Sequence, residues 1–122
     1  MRSELQKNTL AHLHGTLEDL SAADRQISYK RAVPFVHVPI ELLEQWFGNA
    51  RMLRECSWFR ELFDEKAAAA MREFDRIVEF HDGSLGHPPP DIPEILALPA
   101  WQAIMAAAAD LLRVIPAEDE GI

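Results

Sequence analysis

Apolar residues in the second half of the chain recur at steps of three and four, and this spacing constrains the fold more than any other feature. Over residues 64–81 the repeat places apolar side chains on one side of a helix and charged ones on the other. A second repeat covers residues 100–115, between Pro99 and Pro116, where prolines are typical of a helix's first turn and of its end. Both segments are predicted to be amphipathic helices.

Each of these helices contains a run of four alanines, at 67–70 and at 106–109. A side chain of one carbon lets two helix axes approach at the short end of the usual range of about 8 to 10 Å. The two helices are therefore predicted to pack directly against each other. The first is predicted to end at Gly83, since glycine readily adopts the left-handed conformation that follows a helix's last turn.

The first half of the chain is predicted to be helical as well. Pro39 is expected to open one helix. Residues 4–14 are expected to form another, which stops at Gly15, and a capping pattern at Thr16 predicts a further short helix.

One segment is predicted not to be helical. Residues 27–38 are rich in β-branched and aromatic residues and contain a proline, so they are predicted to be extended chain or an edge strand. The predicted fold is mainly α: a single-domain bundle of four to five helices that spans residues 1–122.

Charge and composition argue against several classes of function. The formal net charge is −8, from 12 basic and 20 acidic residues, so the average surface repels a nucleic-acid backbone. No stretch approaches the roughly 20 apolar residues of a membrane-spanning helix, and the first residues lack the apolar core of a secretory signal. The single Cys56 cannot form an internal disulfide, which fits a reducing cytoplasm. We therefore expect a cytoplasmic protein that binds neither nucleic acid nor membrane.

The last third of the chain is predicted to present an acidic surface. After Asp82, Arg113 is the only basic residue. Such a surface keeps a protein soluble and can also face a basic partner. The acidic residues from this point on are Asp82, Asp91, Glu94, Asp110, Glu118, Asp119 and Glu120.

Four aromatic residues in one short stretch are the candidate binding residues. They are Trp46, Phe47, Trp58 and Phe59. A chain of this size is expected to have too small a core to bury all four, and large exposed apolar side chains mark interaction surfaces. Symmetric dimers are the commonest oligomers, so a homodimer is the simplest way to cover these rings.

Two pairs of carboxylates suggest an alternative. Glu41 and Glu44 lie three residues apart, as do Glu61 and Asp64, and paired carboxylates on facing helices can hold Mg²⁺ through oxygen ligands. This arrangement resembles that of the all-α, MazG-like nucleotide pyrophosphohydrolases. The resemblance implies a metal-dependent hydrolase in which these four residues bind the metal, whereas the simpler interpretation is two solvated helix faces.

The stretch from Arg76 to His81 resembles the short signature of the all-helical HEPN ribonucleases. The resemblance implies that Arg76 and His81 position and protonate an RNA phosphate, although the sequence has Ile77 where that family has a polar residue. At five residues apart on a helix, the side chains of Arg76 and His81 point about 140° away from each other around the helix axis, so they lie on different faces. We favour a solvated Arg76 and a His81 that meets the helix dipole at a helix end.

The motif "FHDGSLGHPPPD" is interpreted as a helix stop, a turn and a stiff connector. Its glycines and prolines serve backbone geometry, and His81, Asp82 and His87 lack the spacing of a metal site. We expect no bound metal and no cofactor. The leading interpretation is a bacterial, non-enzymatic binding protein that self-associates and has a protein partner or a small ligand.

Overall fold

The structure, a computed structural model, describes residues 2–116 of the chain. In that part the protein forms six α-helices and one 3₁₀ helix, without a strand, so the predicted mainly α bundle is confirmed. Glu118, Asp119 and Glu120 of the predicted acidic surface lie outside the described residues. The helices are α1 (Glu4–Ser21), α2 (Ala23–Ala32), α3 (Val38–Glu55), α4 (Ser57–Arg60), α5 (Glu65–Leu85) and α6 (Pro99–Leu112), with the 3₁₀ turn at Glu94–Ala97.

The first helix is a single element, and the predicted stop at Gly15 is wrong. α1 begins at a capping box in which Ser3 and Gln6 bond to each other's backbone amides. It continues through Gly15 because its buried leucine stripe continues on both sides of that residue. Thr16 does not cap a second helix; its side chain is buried and its hydroxyl donates to Gln45 Oε1 at 3.0 Å. The stripe consists of Leu10, Leu13, Leu17 and Leu20.

The segment predicted to be extended, residues 27–38, is helical over most of its length. α2 runs to Ala32, only residues 33–37 are irregular, and α3 begins at Val38. The propensity of β-branched and aromatic residues for strands is overridden here because Ile27 and Tyr29 pack against the core from a helix. Pro39 lies in the first turn of α3, as predicted, and His37 Nδ1 caps this helix by accepting from the amide of Ile40.

The helix predicted to end at Gly83 runs to Leu85. Asp64 caps the start of α5: its carboxylate accepts from the Ala67 amide at 2.8 Å. It extends past Gly83 because Leu85 is buried in the core one half-turn later. The residue with a positive φ is Gly86, at φ 93° and ψ 167°, and this residue ends the helix.

The last helix lies against both α1 and α5, with which it makes its most extensive contacts. Direct packing of α5 on α6 was predicted from their alanines and is confirmed; Ala67 and Ala108 are both buried. The contact between α1 and α6 was not predicted. One cluster of buried apolar residues draws on α1, α3, α4, α5 and α6, and α2 packs the partly buried Ile27 and Tyr29 against it.

A buried amide ties three helices together at this contact. Gln26 of α2 is fully buried; its Nε2 donates to the carbonyls of Asp19 and Leu20 at the end of α1, at 2.9 and 3.2 Å. Its Oε1 accepts from Trp101 Nε1 of α6 at 3.0 Å. Each of these polar groups therefore has a partner inside the core.

A second polar cluster fastens the connection between α5 and α6. Lys30 Nζ donates to Asp91 Oδ2 at 2.7 Å and to the Val36 carbonyl at 2.8 Å. Burial alone would raise the pKa of Asp91, but hydrogen bonds from Lys30 and from the Ile92 and Val38 amides outweigh it and lower that pKa.

No helix in the described part of the chain is long and apolar enough to span a bilayer.

Candidate functional site

An open groove between α1 and α3 is the candidate site, with a volume of about 580 Å³. Several of its lining side chains are exposed, so its mouth is wide rather than closed over a cavity. The residues that line it are Asn8, Thr9 and His12 from α1 and Glu44, Gln45, Gly48, Asn49, Arg51 and Met52 from α3.

The α1 wall of the groove has an apolar end. Leu5, Asn8, Thr9 and His12 follow the spacing that places side chains on one face of a helix. Leu5 is 60% exposed, which is unusual for a leucine beside a groove. The Thr9 hydroxyl is already satisfied, since it donates to the Leu5 carbonyl at 2.8 Å.

The α3 wall is held in place by hydrogen bonds beneath it. Gln45 accepts from the buried Thr16 hydroxyl of α1 through its side chain, and from Asn49 Nδ2 at 2.9 Å through its backbone carbonyl. The Thr16 bond joins α1 to α3, and the Asn49 bond lies within α3. Gly48 lies between Gln45 and Asn49 in the chain, and a methyl group in place of its hydrogen would meet no atom within 4 Å.

Two opposite charges stand on the exposed edge of α3. Glu44 and Arg51 line both the groove and a smaller, adjacent depression on α3, of about 360 Å³, to which Phe47 belongs. Arg51 Nε lies 3.8 Å from Glu55, in an ion pair whose side chains are 70% and 65% exposed. A pair so exposed contributes little to stability and leaves the guanidinium accessible.

The four predicted binding aromatics have different environments. Trp46 and Phe59 are fully buried and present no surface to a partner: the Trp46 ring packs edge-on against Phe74, and its Nε1 donates to Asp75. The expectation that the core does not bury all four rings is correct, because Phe47 stays exposed. Trp58 is half-buried against the core. Phe47, at 40% exposure, is the one of the four that presents a large apolar surface to solvent.

The carboxylates of the metal alternative are not brought together. Glu41 and Glu44 lie in the first half of α3, whereas Glu61 and Asp64 follow α4, which Arg60 fastens to the carbonyls of Leu53 and Arg54 at the other end of α3. From Glu44 to that end of α3 is about 16.5 Å at 1.5 Å per residue. Within residues 2–116, no three metal-ligating side chains form a group that could hold an ion.

Arg76 and His81, the pair that resembles a ribonuclease signature, have separate local partners. Arg76 Nε donates to Glu73 at 2.9 Å; this bond raises the pKa of Arg76 and lowers that of Glu73, both on the solvent side of α5. The His81 ring lies edge-on to Phe80 at 5.0 Å.

Sequence patterns identified only part of this site. Phe47 and Glu44 were candidate residues for other reasons, but Asn8 and His12 were not, because the contact between α1 and α3 joins positions far apart in the chain. Leu5 is the one large apolar side chain that the described part of α1 leaves exposed.

Comparison of the chain with protein-family models, with curated proteins and with solved structures found no match. The function of the groove is therefore inferred from its own geometry.

Proposed function

We propose that the protein is a cytoplasmic, non-enzymatic interaction protein that works as a homodimer, and that the α1–α3 groove is its interaction surface. The observation that carries this proposal is the position of Leu5 and Phe47. Both are large apolar side chains exposed to water. Leu5 lies one helical turn before Asn8 and Thr9 of the groove's α1 wall, and Phe47 lines the neighbouring depression on α3. Exposed apolar groups beside a polar rim are typical of protein interfaces.

The shape of the groove favours a protein over a small ligand. Sites for small molecules usually bury about 70 to 90% of the ligand in a concave cavity. Here Asn8, His12, Glu44 and Arg51 are all exposed along the rim, so a small molecule would remain largely in water. A helix or a second protein surface fills an open groove between two helices more completely.

Sedimentation velocity and multi-angle light scattering over the micromolar range test the proposal. We expect a mass of twice the 13.8 kDa of the chain. Phe47→Ser should shift the protein toward monomer, whereas Phe80→Ser, which changes a ring 74% exposed on α5 away from the groove, should not. A wild-type protein that is monomeric throughout this range would refute the proposal.

A further inference from the structure

The exposed edge of α3 has a pattern that complements itself. Glu44 and Arg51 differ by seven positions, which is two helical turns, so they lie in one line along α3. Phe47 and Gly48 lie halfway between them, with Gly48 on the groove side. We call these four residues the α3 edge.

We infer that two copies of the protein pair their α3 edges antiparallel, about a two-fold axis that passes between Phe47 and Gly48. This inference rests on the proposed homodimer and states how that dimer is built. A two-fold axis at this point brings Glu44 of each copy to Arg51 of the other, because the two positions are equidistant from it.

Charge supports a second copy as the occupant. The protein as a whole carries a net charge of −8, so two copies repel each other on average. The charges of Glu44 and Arg51 cancel each other on the α3 edge. In the antiparallel arrangement Glu44 of each copy pairs with Arg51 of the other, so two ion pairs form. A parallel arrangement would instead place Glu44 against Glu44 and Arg51 against Arg51.

The two residues at the centre of the α3 edge, Phe47 and Gly48, allow two copies to pair closely. Gly48 lacks a side chain and has open space in front of it, so two helix axes can approach closely at this point. The two Phe47 rings, in the depression next to the groove, meet each other across the axis and lose the exposure that they have in one copy. Asn8 and His12 lie across the groove, where α3 of the second copy would cover them.

Charge reversal tests this arrangement. Glu44→Arg and Arg51→Glu should each weaken dimerisation by about tenfold or more, since every substitution acts twice in a two-fold dimer and replaces attraction by repulsion. The double variant E44R/R51E should dimerise like the wild type. An equimolar mixture of the two single variants should form a heterodimer, because the mixture joins unlike charges at both contacts.

Two further variants separate pairing from stability. Gly48→Gln should block close approach of a second helix yet leave the monomer folded, because its side chain has open space in one copy. Arg76→Glu is the matched control: it reverses an exposed arginine on α5 that pairs with Glu73, as Arg51 pairs with Glu55, and should leave dimerisation unchanged.

The outcomes distinguish this inference from the proposed function. A dimeric wild type whose affinity is unchanged by Glu44→Arg and Arg51→Glu would overturn the α3 pairing and leave the homodimer standing with another interface. The α3 pairing would also be overturned if each single variant weakened the dimer but neither the double variant E44R/R51E nor the mixture of single variants restored dimerisation. A monomeric wild type would overturn both.

Discussion

Two glycines near the end of α5 should respond to the same substitution with opposite signs. Gly83 lies inside the helix, its surroundings leave room for a methyl group, and its side is exposed. Glycine in a helix interior costs roughly 0.5 to 1 kcal/mol relative to alanine, so Gly83→Ala should stabilise the protein by about this amount.

Gly86 should behave in the opposite way. Its φ of 93° and ψ of 167° lie in a region that is almost restricted to glycine, where other residues cost about 1 to 3 kcal/mol. Space adds little to this cost, since an added methyl group would contact the Pro88 carbonyl oxygen at an ordinary 3.5 Å. Gly86→Ala should therefore destabilise the protein by roughly 1 to 3 kcal/mol, mainly through backbone strain.

Thermal denaturation followed by helical circular dichroism measures both effects. For a chain of this size, 1 kcal/mol corresponds to a shift in melting temperature of about 3 to 5 °C, so the two variants should differ by at least that much. If Gly83→Ala were the destabilising change and Gly86→Ala the neutral one, α5 would end at Gly83, and the assignment of its last turn would be refuted.

Three other substitutions examine the core and its polar bonds. Gln26→Leu leaves Trp101 Nε1 without a partner and should lower the free energy of unfolding by roughly 1 to 3 kcal/mol in urea titrations, whereas Gln102→Leu, which removes an exposed hydrogen bond, should cost far less. Ala108→Leu should overpack the buried α5–α6 contact and lower the free energy of unfolding by roughly 1 to 3 kcal/mol in the same titrations. Ala106→Leu, at an exposed position of α6, is the control. Equal urea midpoints for the two variants would contradict the packing. The pKa of Asp91 is lower in the folded protein than its ordinary 3.8, so its bonds stabilise the fold above that pH, and this stabilisation is lost as the pH falls through the folded pKa. Asp91→Asn should therefore be less stable than wild type at neutral pH, and the difference should shrink on acidification. Urea midpoints measured across the pH range will detect this change.

The helices whose packing depends on a regular apolar repeat were predictable, and so were their starts at Asp64 and Pro99, but their C-terminal ends were not. The repeats of α5 and α6 continue over several turns, so periodicity identified both. Gly83 was misassigned because a glycine costs a helix only about 1 kcal/mol, and the burial of Leu85 in the next turn outweighs that cost. The local residue types do not reveal whether the following turn has a core to pack against.

Features that depend on contacts between distant parts of the chain could not be predicted. Thr16 has the sequence context of a helix cap, but a partner on α3, Gln45, holds it inside a helix instead. Trp46 and Phe59 were candidate binding residues, but both are buried in the core, where the Trp46 ring packs against Phe74 of α5. The groove itself arises from the side-by-side placement of α1 and α3, which no single segment encodes.

The contact between α1 and α6 has a consequence for how the protein is made. Among the contacts near it, Gln26 of α2 and Trp101 of α6 are 75 positions apart, and His14 of α1, whose Nε2 lies 2.7 Å from the Pro116 carbonyl oxygen, is 102 positions from Pro116. Ribosomes deliver α1 before α6, so the leucine stripe of α1 has no α6 to cover it until nearly all the described helices have been synthesised. Contacts of such long range also slow folding, because a long loop must close before they form. Nascent chains that carry α1 to α5 alone therefore expose apolar surface that aggregates readily, and chaperones have their greatest opportunity to bind during this interval.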